Sequence, residues 1–250
     1  AWCLQWLIFY RRLIMTTHFT SGVTNVTSDG TLGKLKAPAP HKYHQYFNDF
    51  DTYLASDWTI TTTEDGTGSA TEALADGDGG VLLVTNAAGD NDHDFFQLVK
   101  EGFKYEAGKQ IGFHIRFKTN DATQSDIVAG LQLTDTTPLD VTDGIFFLKS
   151  DGAATISFVV EKDSTQSTLT LPNSLADDTF MTLGFIYDPR DQKFHVFQNN
   201  VLAGTVVSTN APDDEELTLS FGIQNGAAAA KTLSVDYVGA YKERTAVTEL

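Results

Sequence analysis

The chain has 250 residues, a formal net charge of −16 and one cysteine, Cys3. A surface this acidic repels nucleic acid and anionic membranes, so neither is expected as a partner. A lone thiol at residue 3 excludes a disulfide framework, a zinc–thiolate site and, in the rest of the chain, a cysteine nucleophile.

Residues 1–14, AWCLQWLIFYRRLI, differ in character from the rest of the chain. Their apolar run precedes Arg11 and Arg12, the reverse of a secretory signal, and is far shorter than the ~20 residues of a membrane span. Two consecutive arginines can be encoded AGG AGG, a bacterial ribosome-binding site. Leu13 and Ile14 would then be the spacer before Met15. Residues 1–14 are therefore expected to be translated upstream leader; a short amphipathic anchor or a fusion scar is the alternative.

Residues 15–45 are polar and rich in Thr, Ser and Gly, with an Ala-Pro-Ala-Pro stretch. They read as an extended arm that cannot fold alone. Its larger side chains, Phe19, Val23, Val26, Leu32, Leu35, Pro38 and Pro40, are the expected partner contacts. The aromatic cluster Tyr46, Phe47, Phe50, Tyr53 and Trp58 opens the domain, with one helical turn expected within 51–56.

Strands then alternate with turn signals. They are expected at 79–87, 94–100, 109–119, 126–134 and 144–150, a hairpin at 155–172, three strands in 180–207, and closing strands at 216–226 and 231–243. In 109–119 the residues Ile111, Phe113, Ile115 and Phe117 share one face, and Gly112, His114, Arg116 and Lys118 the other. Neighbours such as Phe146 and Phe147 must face opposite sides of a sheet. One of them is expected to be exposed or covered by another chain. About a dozen short strands without long helical patterns point to an all-β sandwich or barrel.

The stretch FMTLGFIYDPRDQKFHVFQNNVLAGTVV (180–207) carries an apolar strand, Tyr-Asp, a turn, a strand and a polar turn. It resembles the corresponding part of laminin-G-like and concanavalin A-like jelly rolls, whose second strand displays lYvnG. Phe197-Gln-Asn-Asn200 stands in that place, with Asn200 where the family commonly has glycine, so the turn type stays open. LSFGIQNGAAAAKTLSVDYVGAYKER resembles the closing strands of such domains. The order of HFTSGVTNVTSDGTLGKL, a Pro-linked arm, YFNDFDTYLASDW and this ending is similar to virion proteins of tailed bacteriophages. The resemblance implies a two-sheet antiparallel jelly-roll sandwich at 46–243, preceded by the arm and with a tail at 244–250.

A fold of this kind can carry hydrolytic or metal chemistry only if the side chains are in place. Glycoside hydrolases of such folds need two carboxylates flanking the bond. Glu161 and Asp163 have the one-face spacing, but Thr165 holds the third position, so a solvated hairpin tip is expected there. GDNDHDFFQLVKEG places Asp90, Asp92 and Asp94 at alternate positions, yet Phe95 stands where an EF-hand needs glycine. A looser calcium site from Asp90, Asp92, Asp76 and Asp78 is the remaining metal candidate; no other cofactor is expected. His41 and His44 have no evident third ligand, and His93, His114 and His195 are scattered. No Gly-x-Ser-x-Gly elbow is present, and Gly77–Gly80 lacks the Lys-Ser/Thr of a phosphate loop.

The functional expectation is a non-enzymatic structural protein of a tailed-phage virion. It would decorate the capsid surface after assembly in the bacterial host cytoplasm. Its partner would be the major capsid protein or another virion protein, with a homo-oligomer also open. The alternative is a carbohydrate-binding, lectin-like module that attaches to glycans. An exposed aromatic row beside acidic loops would favour it.

Overall fold

The computed structural model describes residues 42–77 and 79–244. The arm contacts Phe19, Val23, Val26, Leu32, Leu35, Pro38 and Pro40, together with Asp78 and His41, lie outside the described residues.

The fold is a two-sheet antiparallel sandwich. One sheet carries both ends of the described chain and is called here the terminal sheet. It comprises β1 (Tyr43–Asn48), β3 (Thr71–Ala75), β4 (Val81–Thr85), β7 (Ile111–Thr119), β12 (Met181–Asp188), β13 (Lys193–Gln198), β14 (Val201–Val207) and β16 (Thr232–Glu243). Its order is β14-β13-β12-β7-β16-β4-β3, with β1 also pairing β16. The central sheet comprises β2 (Trp58–Thr63), β5 (His93–Leu98), β6 (Phe103–Lys104), β8 (Ser125–Gln132), β9 (Gly144–Lys149), β10 (Ile156–Lys162), β11 (Thr165–Thr170) and β15 (Glu216–Asn225). Its order is β11-β10-β9-β8-β15-β5-β2, with β6 on β15.

Period-two alternation decides what meets between the sheets. On β7, Ile111, Phe113, Ile115 and Phe117 point inward and are at most 1% exposed. Opposite them stand Phe147, Phe158 and Phe221. Phe96 and Phe221 stack with centroids 5.0 Å apart, Trp58 meets Phe221 at 5.1 Å, and Phe158 meets Phe185 at 5.3 Å. Each such ring contributes about 1.5–3 kcal/mol on burial, so one continuous aromatic core joins the sheets.

The expected strands from 79 to 243 all form. β1, β2, β3 and the two-residue β6 were not expected. β3 reads TEALA, whose residues favour helix in isolation; it is a strand because β4 offers an edge to pair with. A helical turn does form near the segment expected to hold one, 51–56, but it is a 3-10 turn at Ala55–Asp57 that overlaps that segment only at residues 55 and 56.

Phe146 and Phe147 do face opposite ways, but neither is exposed or left for another chain. Phe147 joins the core, and Phe146 forms an outer cluster with Phe95, Val128, Val141 and Val159. The chain's own loop 133–143 covers that cluster. Gln97 Nε2 donates to Leu133 O (3.2 Å) and Gln132 Nε2 to Pro138 O (2.8 Å), while Asp135 N donates to Gln97 Oε1 (3.0 Å). Leu139 and Val141 then close over the rings.

Candidate functional site

The outer face of the central sheet is the first place to look for hydrolytic acids. Its strand carboxylates are Asp126 on β8, Glu161 on β10 and Glu216 at the start of β15. Glu161 pairs with Gly144, which pairs with Gln132. Asp126 is therefore six residues along β8 from the Glu161 level, about 20 Å. Each acid is already engaged. Asp126 accepts Asp151 N at 2.8 Å, Glu161 accepts Gln166 Nε2 at 3.1 Å, and Glu216 pairs with Lys104 at 3.2 Å. Burial pushes the Glu161 carboxyl up, and Asp140 and Asp143 of the covering loop add to the shift. Glu161 and Asp143 are only 4% and 5% exposed, so a glycosidic bond cannot lie between them. Asp163 sits at the β10–β11 tip with positive φ, as does Ser164.

An open depression of about 320 Å³ lies instead on the outer face of the terminal sheet, between the β3–β4 turn, β7 and β16. Alternation along β7 sends Arg116 and Lys118 outward, opposite the core residues Ile115 and Phe117. Phe180, just before β12, forms the apolar wall: the Arg116 guanidinium lies 4.2 Å and Lys118 Nζ 5.4 Å from its ring centre. A register shift between Val235 and Tyr237 sets Asp236 in a bulge. The bulge turns its carboxylate onto Arg116 Nη1 in a close ion pair. Asp76 and Ser234 complete the polar rim, with Val81 and Leu83 as floor. Asp49 stands nearby; burial pushes its carboxyl up, and the charges of Asp236 and Asp51 add to this.

The sequence candidates scatter. Asp76 lies at the rim of this depression, whereas Asp90 and Asp92 lie beyond the other end of β4. Five residues of strand separate the two ends, about 16 Å, so these acids do not come together. Asp90 is exposed. Asp92 is fully buried and organises its loop, accepting the backbone N–H groups of Asp65 (2.6 Å), Gly89 (2.6 Å) and Gly66 (3.3 Å). Desolvation pushes its carboxyl up, but these donors outweigh it and hold it below the usual value. His44 lies on β1, its ring 5.1 Å from that of Phe103.

Sequence reasoning missed two constellations. One is the depression itself, whose Arg116, Phe180 and Asp236 are far apart in the chain and carry no motif. The other is Asp188, Asp191 and His195 on the β12–β13 turn, whose ligand atoms lie within 4.8 Å of one another. Its Asp-x-x-Asp-x-x-x-His spacing was readable. Arg190 already grips Asp188 through Nε (3.0 and 3.2 Å) and a second guanidinium nitrogen, and Asp191 bonds His195 Nε2 at 2.9 Å.

No family model matches the chain, and no curated protein matches it. Solved structures do. The Emp47p carbohydrate recognition domain is similar with a TM-score of 0.56 and 13% identity, over 84% of this chain and 100% of that one. Peanut lectin gives 0.54 and 10%, over 82% and 100%. An endo-1,3-beta-glucanase from Streptomyces sioyaensis gives 0.55 and 15%, over 83% and 99%. At these identities the likeness shows the fold, a lectin-like, concanavalin A-like jelly roll. Binding proteins and hydrolases share it. The comparisons lend no support to the capsid role that the sequence resemblance implied.

Proposed function

We propose that the domain binds carbohydrate without cleaving it, and that the depression at Phe180 is the contact. The observation that carries this reading is the composition of that depression. One aromatic wall faces two cations and two carboxylates within about 320 Å³, in the range of small-ligand sites. A sugar ring presents C–H groups that suit an aromatic ring and hydroxyls that suit charged donors and acceptors. The carbohydrate recognition domain and the lectin that share the fold support the class of ligand. The separation and burial of the acids on the central sheet support binding without hydrolysis.

A glycan array probed with the full chain, with and without calcium, tests the reading. Calcium is included because Asp76 and Asp236 line the site. A hit is expected, with no reducing sugar released from it. Phe180→Ala and Lys118→Ala should each weaken the hit at least about tenfold, roughly 1.4 kcal/mol. A blank array from folded protein would refute carbohydrate binding and return attention to capsid decoration, read by co-sedimentation with tailed-phage capsids. A hit indifferent to both substitutions would move the site elsewhere.

A further inference from the structure

Phe47, on β1, is 57% exposed, the only exposed large aromatic side chain among the described residues. Register carries it onto the outer face of the terminal sheet. Phe47 pairs with Gly239, which pairs with His114, outward on β7. Tyr237 pairs with Arg116 and shares that face. Gly239 lets the rings meet: a Cβ there would stand 2.8 Å from the His114 ring and 3.0 Å from that of Phe47. Without one, three rings close into a triangle. Their centres are 5.9 Å apart from Phe47 to His114, 6.1 Å from Phe47 to Tyr237 and 5.6 Å from His114 to Tyr237. Phe47 and Tyr237 are inclined by only 32°. An isolated exposed phenylalanine is ordinary on a protein surface; one held against two other rings beside a charged depression marks a contact surface.

The rings and the depression at Phe180 form one surface. Tyr237 follows Asp236 on β16, and both adjoin Arg116, Tyr237 through the strand register and Asp236 through its ion pair. A Cβ on Gly79 would stand 3.8 Å from Asp49 Oδ2 and 3.9 Å from Asp236 Oδ1. The β3–β4 turn therefore borders the carboxylate that follows β1 as well as the one in the bulge. Phe180 and Phe47 mark the two ends of this surface. Phe47 lies level with Gly184 of β12, through Gly239 and His114. Three strand spacings across the sheet and four residues along it separate the two phenylalanines by about 20 Å. A disaccharide is too short to touch both.

We infer that the ligand is a linear glycan of more than two sugar units, running from Phe180 over the Arg116–Asp236 pair to the rings at Phe47. The inference rests on the carbohydrate reading above and names the form of the ligand. Aromatic rings stand at both ends, where C–H faces of sugars can stack, and charged donors and acceptors lie between them, where hydroxyls need partners. The rings at Phe47 are carried by paired strands, so little ordering of the protein opposes the second contact.

The test uses the full chain and an array on which each linear glycan is present as a ladder from disaccharide to hexasaccharide. Hits are then titrated by calorimetry. The hexasaccharide should bind at least about tenfold more tightly than the disaccharide of the same series. Phe47→Ala should remove that gain and leave the disaccharide unchanged, whereas Phe47→Trp should keep the gain. Phe180→Ala should weaken both lengths. Circular dichroism checks that each variant is folded, and the length dependence of the unmodified chain needs no variant. A blank array overturns the carbohydrate reading and this inference with it. Equal affinity along the ladder, a hit confined to branched or terminal epitopes, or a hexasaccharide gain that survives Phe47→Ala overturns this inference alone. So does a change from dimer to monomer in Phe47→Ala with the ladder unaltered, because a second copy would then cover the rings.

Discussion

Asp94 shows how one residue can tie stability to pH. It points inward from β5, accepts Thr62 Oγ1 at 2.6 Å through Oδ1, and buries Oδ2 without a hydrogen-bond partner among the described residues. Burial is the main cause that raises its pKa to about 7; Glu72, Glu64 and Asp92 add to it and Thr62 opposes it. The folded state thus binds a proton that the unfolded chain releases near pH 4. Stability from this group is fully present below about pH 4 and is lost as pH rises through 7. Asp94→Asn imitates the neutral acid and keeps an acceptor for Thr62. It should stabilise the protein at pH 8 by about 2 kcal/mol and do little at pH 4. Urea titrations at the two pH values measure this; equal effects at both would refute it. None of this was legible in the sequence. Asp92 and Asp94 look alike there, and only the fold gives one of them three backbone donors and the other a buried, unpaired oxygen.

At the scale of elements, the tight hairpins settle the turn type that Asn200 left open. Asn199 and Asn200 have φ of 50° and 64°, and Asp163 and Ser164 have 48° and 60°. Positive φ at both central positions is the type I′ turn, whose twist matches the strands. Asn tolerates this conformation, and Asn199 Oδ1 also accepts Thr182 N at 3.0 Å. Ser164 has no comparable bond of its own among the described residues, although its N–H reaches Thr142 O at 2.9 Å. Ser164→Gly should therefore stabilise by about 0.5–1 kcal/mol, and Asn200→Gly by less. Denaturant midpoints measure both; a loss of stability in Ser164→Gly would contradict the strain argument. The long strands were legible because alternation and turn residues both marked them. β3 and β6 were not, because pairing with a neighbour makes them strands.

For the whole molecule, charge sets the balance. A net charge of −16 opposes compaction. The exposed pairs of Lys162 with Asp213 and Asp214 contribute little against it. Raising salt from about 20 to about 500 mM shortens the Debye length to a few ångströms. This should raise the melting temperature by a few degrees in a thermal scan. A fall would mean that ion pairs such as Arg116–Asp236 outweigh the general repulsion.

The sequence by itself determined the all-β class, most strands from 79 onward, the inward faces and the jelly-roll likeness. Period-two alternation and turn chemistry are local, so they survive without coordinates. The fold alone decided that loop 133–143 closes over Phe95 and Phe146 and that Asp76 parts from Asp90 and Asp92. It also brought Arg116, Phe180 and Asp236 around one depression. These are meetings of residues tens of positions apart, fixed by which strands pair and in what register, and no local pattern encodes them.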